Sequence, residues 1–348
     1  MKTQTLLKSA LALVLIVFLG TNVFAQQVVD PAKDPQIESH VKAFLNVLNS
    51  GGGKPIEELS PEEARAVLKG AQESVKFDYS DIRVTEKTIN STAGPVVLNI
   101  VKPANAKGIL PVFIFIHGGG WVLGDFPTHK RLVRDLVVNS GAAAIFVNYT
   151  PSPEARYPVA INQIYEATKW VAANGAQIGV DGKKLAVVGN SVGGNMAAVT
   201  ALMAKDKQGP QIKLQVLLWP VTNAAFDTES YNKFAEGRFL SKNMMKWFWD
   251  NYAPDAAARK EIYASPLQAS KDQLKGLPAA FVAVAENDVL RDEGEAYARH
   301  LDEAGVTVTS VRYNGMIHDW GLLNPLATVP GTQSVMLHAA AEIRKALK

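Results

Sequence analysis

The sequence predicts an α/β fold, a mostly parallel sheet of eight strands with helices on both faces, and three observations lead there. Short apolar runs without helical period alternate with helical stretches along most of the chain. The segment Gly189-Asn190-Ser191-Val192-Gly193 falls between one such run, Leu185 to Val188, and a helical stretch, Met196 to Ala204. Three glycines, Gly118 to Gly120, follow directly on another apolar run, Val112 to His117. A chain of 348 residues, 47% hydrophobic and 20% charged, is long enough to bury a large core, and one domain with an accessory cap fits that length.

In chain order, residues 1–25 read as a secretory leader. Lys2 and Lys8 form its basic start, Ala10 to Gly20 its apolar stretch, and Val23-Phe24-Ala25 a small-residue cleavage site before Gln26. Ala10 to Ala25, with Thr21 and Asn22 inside it, falls short of the roughly 20 apolar residues that a membrane span needs. The expectation is an exported protein, periplasmic or secreted, with no stable span in its mature form. Residues 26–80 should supply two helices. Ile37, Val41, Phe44, Leu45 and Leu48 recur at helical spacing before the break at Gly51-Gly52-Gly53, and Ser60-Pro61-Glu62-Glu63 is a capping box that opens a second helix running to about Gln72.

Ile82 to Ile89 and Val96 to Val101 read as paired strands around a turn at Ser91 to Pro95. Val112 to His117, Ala143 to Tyr149, the run before Ser191, Leu214 to Trp219, Ala280 to Ala285 and Val306 to Tyr313 complete the sheet, with helices after Pro158 and Ser191 and from Glu293 and Thr332. The core is therefore residues 81–221 and 265–348. Between them, Thr222 to Ala264 is far longer than an ordinary connection and carries Phe226, Tyr231, Phe234, Phe239, Trp247, Phe248, Trp249 and Tyr252. It reads as a helical cap insertion over the strand ends.

Composition excludes several classes of chemistry. Without cysteine there are no disulfides and no thiolate metal sites. The formal charge of +3 includes Lys2 and Lys8, so the mature chain carries +3 − 2 = +1, with no long basic run to draw nucleic acid. A serine hydroxyl is a weak nucleophile that needs a base within hydrogen-bond reach and an acid that orients the base. Of the six histidines, His40, His129, His300 and His338 fall in helical stretches and His117 heads the glycine run, leaving His318 alone in a loop just beyond a late strand. Asp288, just past the strand Ala280 to Ala285, is the candidate acid, and Glu286 is its neighbour and competitor. The backbone amides of Gly118, Gly119 and Val192 are candidate donors to an oxyanion, and His117 is a candidate brace for that loop.

These residues resemble the bacterial hormone-sensitive-lipase branch of the α/β-hydrolases. The resemblance covers most of the mature chain and rests on His117-Gly118-Gly119-Gly120-Trp121, the serine elbow, Tyr149 with Pro153-Glu154 and Tyr157-Pro158, Ser265-Pro266-Leu267, and Asp288-Val289-Leu290-Arg291-Asp292-Glu293-Gly294. It implies the α/β-hydrolase fold and hydrolysis of small carboxylic esters without cofactor or metal, with Ser191 as nucleophile, His318 as base, Asp288 as its partner, and a cap built from the N-terminal helices and the insertion. An inert binding protein on the same scaffold and a serine peptidase or amidase are the competing readings. Epoxide and haloalkane hydrolases on this fold use a carboxylate nucleophile, which Ser191 argues against. The chain departs from the family in three places: Asn190 stands where an acidic residue is usual, Val289 replaces a proline, and Asp319-Trp320 replaces a glycine and an aromatic. Trp320 is expected either to narrow the pocket beside His318 or to pack in the interior.

Overall fold

The computed structural model describes residues 30–348, so the expected leader lies outside the described residues. Eight strands form one sheet: β1 (Ile82–Ser91), β2 (Gly94–Pro103), β3 (Leu110–Ile116), β4 (Ala143–Asn148), β5 (Val180–Asn190), β6 (Leu214–Leu218), β7 (Ala279–Asn287) and β8 (Val308–Ile317). Their spatial order is β1-β2-β4-β3-β5-β6-β7-β8, with β2 antiparallel to both β1 and β4 and the other pairs parallel. The first hairpin turns on Thr92 and Ala93 alone, so its strands run longer than the apolar pattern suggested. Polar residues such as Asn90 and Lys102 pair in the ladder through their backbones, which hydropathy does not register.

The central strands are apolar on both faces because helices cover both. On β3, Val112, Ile114 and Ile116 face the side packed by α4 (Val159–Asn174), α5 (Val192–Asp206) and α9 (Arg291–Glu303). Phe113 and Phe115 face the other side, against α3 (Phe126–Ser140) and α10 (Pro330–Ala346). Because all parallel strands point the same way, their carboxyl ends share one edge, and Ser191, Asp288 and His318 follow directly on β5, β7 and β8.

The two N-terminal helices are present as α1 (Ser39–Ser50) and α2 (Pro61–Glu73). The Ser60 hydroxyl accepts from the Glu63 amide, and the Glu63 carboxylate accepts in return from the Ser60 amide. Residues 222–264 leave the sheet between β6 and β7 as expected, but the segment is only partly helical. It holds α6 (Glu229–Lys233), α7 (Lys242–Tyr252) and a single 3-10 turn, and Phe226 and Phe239 take positive φ values of 57° and 74° that no helix accommodates. Buried aromatics, not backbone ladders, hold it down: Tyr231, Phe234, Phe248, Trp249 and Tyr252 are all inside. The short helix α8 (Lys271–Leu274) returns the chain to β7. Among the described residues no helix is long and apolar enough to cross a membrane.

Candidate active site

Ser191 sits between the end of β5 and the start of α5 with φ 55° and ψ −121°, a conformation that L residues avoid. The flanking glycines make it possible. A Cβ at Gly189 would lie 2.1 Å from the Gly193 carbonyl oxygen, and one at Gly193 would lie 2.0 Å from that of Ile116. The elbow therefore needs both glycines for close approach of backbone to backbone, while the strain falls on the serine.

The three side chains expected to converge do so. The His318 Nε2 is 2.9 Å from Ser191 Oγ, and its Nδ1 is 2.7 Å from Asp288 Oδ2. The second Asp288 oxygen accepts the Leu290 amide at 3.0 Å, which fixes the carboxylate plane. Glu286, the competing acid, is used elsewhere: its Oε2 accepts the Gly315 amide at 2.8 Å. All three members are at most 4% exposed. Burial pulls the His318 imidazole toward neutrality, but the carboxylates of Asp288 and Asp319 outweigh it and hold its pKa above the usual 6.5.

The glycine loop corrects one expectation. The amide of Gly118 donates to the Asn190 side-chain oxygen at 3.0 Å, so it is already bound and is not available to an oxyanion. The amides of Gly119, Gly120 and Val192 have no partner among the described residues; Val192 follows the serine directly, and the glycine loop is tied to Asn190 on the serine's other side. Gly120 was not singled out in the sequence; its signal was only the third glycine of the run. It takes φ 62°, after Gly119 at 96° and before Trp121 at 61°, a left-handed stretch of the kind whose successive amides can form an anion-binding concavity. His117 braces the loop as expected. Its ring lies between Phe146 and Tyr149, 4.1 Å from the latter, its Nδ1 donates to the Gly118 carbonyl, and the Tyr149 hydroxyl donates to the His117 carbonyl at 3.0 Å. The insertion closes over this loop. The Phe248 ring lies against Gly120, where a Cβ would come within 2.0 Å of it, and Trp121 stacks on Tyr252 at 4.2 Å.

Two of the departures from the family pattern, Asn190 and Asp319, prove to be one connected feature. Asn190 Nδ2 donates to Asp319 Oδ1 at 3.1 Å, and Trp219 Nε1 donates to the same oxygen at 2.6 Å. The second oxygen of Asp319 lies 3.9 Å from His318 Nε2. Asn190 thus links the Asp319 carboxylate to the glycine loop. Burial raises the Asp319 pKa above its ordinary 3.8, and the neighbouring His318, Trp219 and Asn190 oppose that rise. Asp319 (φ 57°) and Trp219 (φ 40°) share the strained backbone of Ser191. The paired oddity of an amide before the serine and an acid after the histidine was the available signal. Trp320 is no part of the pocket: it packs on Trp219 at 4.3 Å and donates to the Gly331 carbonyl, inside the core beneath α10. Glu293 was also missed as more than a motif residue. It is buried, accepts the amides of Thr222 and Asn223 at 2.6 and 3.2 Å, and is pushed up to about 8 by that burial. Among the described residues no group of three histidines, aspartates or glutamates could hold a metal ion.

A strained serine elbow, joined through a histidine to a buried aspartate at the carboxyl edge of an eight-stranded sheet, defines a serine hydrolase of the α/β class. The chain belongs to the α/β-hydrolase fold family, whose profile matches residues 113–322. A thermostable esterase from Pseudomonas putida is 65% identical, with a TM-score of 0.90 over 90% of this chain and 99% of that one. An α/β hydrolase of Acanthamoeba polyphaga mimivirus is 39% identical over 89% of this chain and 88% of its own length. A carboxylesterase of Mycobacterium tuberculosis is 33% identical over 82% and 89%.

Proposed function

We propose that this chain is a serine carboxylesterase acting on small esters of short to medium acyl length. The observation that carries the reading is His318, hydrogen-bonded to Ser191 on one side and Asp288 on the other, beside three unoccupied amides. Ser191 Oγ attacks the ester carbonyl carbon as His318 Nε2 takes its proton, and the charge on the carbonyl oxygen meets the amides of Gly119, Gly120 and Val192. The tetrahedral adduct expels the alcohol, which leaves with the proton from Nε2. Water then gives a proton to the same nitrogen and attacks the acyl carbon; the bond from that carbon to Ser191 Oγ breaks, Oγ takes the proton back from Nε2, and the acid leaves. Asp288 orients the imidazole throughout. The short acyl range is supported by the near-complete burial of Ser191 and by the Phe248 ring over Gly120. An inert binding protein would not need a base in hydrogen-bond contact with the serine, and the carboxylesterase among the relatives favours esters over peptides.

In Ser191→Ala, hydrolysis of nitrophenyl acetate should fall about a million-fold with the fold retained. Activity surviving in the purified variant, or failure of a fluorophosphonate to label Ser191 in the wild type, would overturn the assignment. We place the chain in the bacterial hormone-sensitive-lipase-like branch, on the glycine and aspartate motifs and the 65% identity to the Pseudomonas esterase. The basic start, apolar stretch and small-residue site read over residues 1–25 support export. Intact mass of the protein recovered from the cell envelope or medium should correspond to a start at Gln26, and a retained Met1 would reject cleavage there.

A further inference from the structure

The segment from Pro31 to Glu38 threads between the cap insertion and the strand ends that carry Asp288 and His318. At its start it grips the insertion. Asp34 Oδ2 is 2.7 Å from Arg238 Nη2, with both side chains at most 6% exposed, and Pro31 packs so closely on Gly237 that a Cβ there would lie 3.0 Å from it. From α1, Asn49 Nδ2 donates to the Gly237 carbonyl at 3.1 Å. A few residues on, the same segment holds the two loops of the site. The Gln36 carbonyl accepts from Asn287 Nδ2 at 3.2 Å, next to Asp288. Ile37 bridges Gly315 in parallel, and the Glu38 amide donates to the Gly315 carbonyl at 3.1 Å, three residues before His318. Gly315 takes φ 77°, its amide is held by Glu286, and a Cβ on it would come within 3.0 Å of Glu38.

From these contacts we infer that Asp34 and Arg238 are positioning residues of the reaction: their buried ion pair anchors a strap that couples seating of the cap to the alignment of Asp288 and His318. The inference rests on the esterase reading. Two residues of chain span at most about 7 Å, so the link from Asp34 to Gln36 has little slack, and a shift of Arg238 is passed to Asn287. The pair is poorly suited to a purely stabilising role. Arg238 Nε and Nη1 are buried with no partner among the described residues, and a buried, incompletely bonded ion pair is no better for stability than apolar packing. Its geometry instead specifies one docked position of the cap loop.

The test uses Asp34→Asn, Arg238→Gln and the double variant in the full chain, assayed on nitrophenyl acetate well below each Tm. Each single variant should lose about tenfold in kcat with KM nearly unchanged, and the double variant should lose no more than the worse single one. Wild-type kcat with only a lowered Tm, or a change confined to KM, would overturn the coupling. Should these variants fail to fold, the exposed Asn49→Ala releases the same loop and should show a smaller fall in kcat, and an unchanged kcat there counts against the strap. Amide hydrogen exchange separates this idea from the esterase assignment. Asp34→Asn, or Asn49→Ala where that variant replaces it, should speed exchange at Asn287 and Ile317 whatever the activity, and wild-type protection at both sites would reject the coupling.

Discussion

At the scale of the residue, the site is organised around His318, whose charge is governed by two carboxylates. Asp288 bonds Nδ1 and was legible in the sequence from its place after a strand; Asp319 faces Nε2 from 3.9 Å and was not. In the proposed mechanism the base is the neutral imidazole, so a pKa held above 6.5 moves the rise of kcat/KM with pH to the alkaline side of the ordinary histidine value. Asp319→Asn keeps an acceptor for Trp219 Nε1 and removes the negative charge. The midpoint of the pH–kcat/KM profile should then move to lower pH, and a profile superimposable on that of the wild type would show that Asp319 does not act on His318. The same substitution leaves Asn190 able to hold the Gly118 amide, which separates the electrostatic part of Asp319 from its structural part.

At the scale of the element, legibility followed the strength of the local pattern. The capping box at Ser60, the apolar runs of β3 and β4, and the strand–serine–helix elbow each have a local cause and were readable within a residue or a few, whereas β5 begins at Val180, five residues before the apolar run at Leu185, through polar residues that hydropathy does not register. The insertion after β6 did not yield in the same way. Its aromatics mark it as buried, but whether such a segment is helix or irregular chain depends on what its rings meet: Trp249 and Tyr252 meet Trp121, and Phe248 meets Gly120. The glycine loop shows the same limit at finer grain. Three glycines in a row announce backbone conformations open to few other residues, yet only the contact from Asn190, 72 positions away, determines that Gly118 is occupied and that Gly119 and Gly120 are free.

At the scale of the whole molecule, two sets of buried titratable groups oppose each other. Burial lowers His117 to about 4 and places His129 well below its usual 6.5, so stability is lost as pH falls below 6.5, where the unfolded chain takes up protons that the folded chain refuses. Glu293 has the opposite sign. Its folded value of about 8 lies above the ordinary 4.5, so its contribution is fully present below 4.5 and is lost as pH rises toward 8. Glu293→Gln removes that dependence. Measured by urea unfolding, the variant should gain about 3 kcal/mol on the wild type between pH 4.5 and 6.5, about 1.4 kcal/mol for each pH unit. Parallel stability profiles would mean that Glu293 ionises freely where it sits. The sequence by itself determined the α/β sheet, the elbow and the choice of Ser191, Asp288 and His318 as candidates that meet at one edge, because those follow from hydropathy period, glycine sterics and the order of strands, all of which act locally. Only the tertiary structure decided which amides stay unbound, that Asn190 joins the carboxylate at 319 to the glycine loop, and that the segment from Pro31 to Glu38 touches both the cap and the loops of Asp288 and His318. Each of these depends on contacts between positions dozens to hundreds of residues apart, whose distance no local pattern encodes.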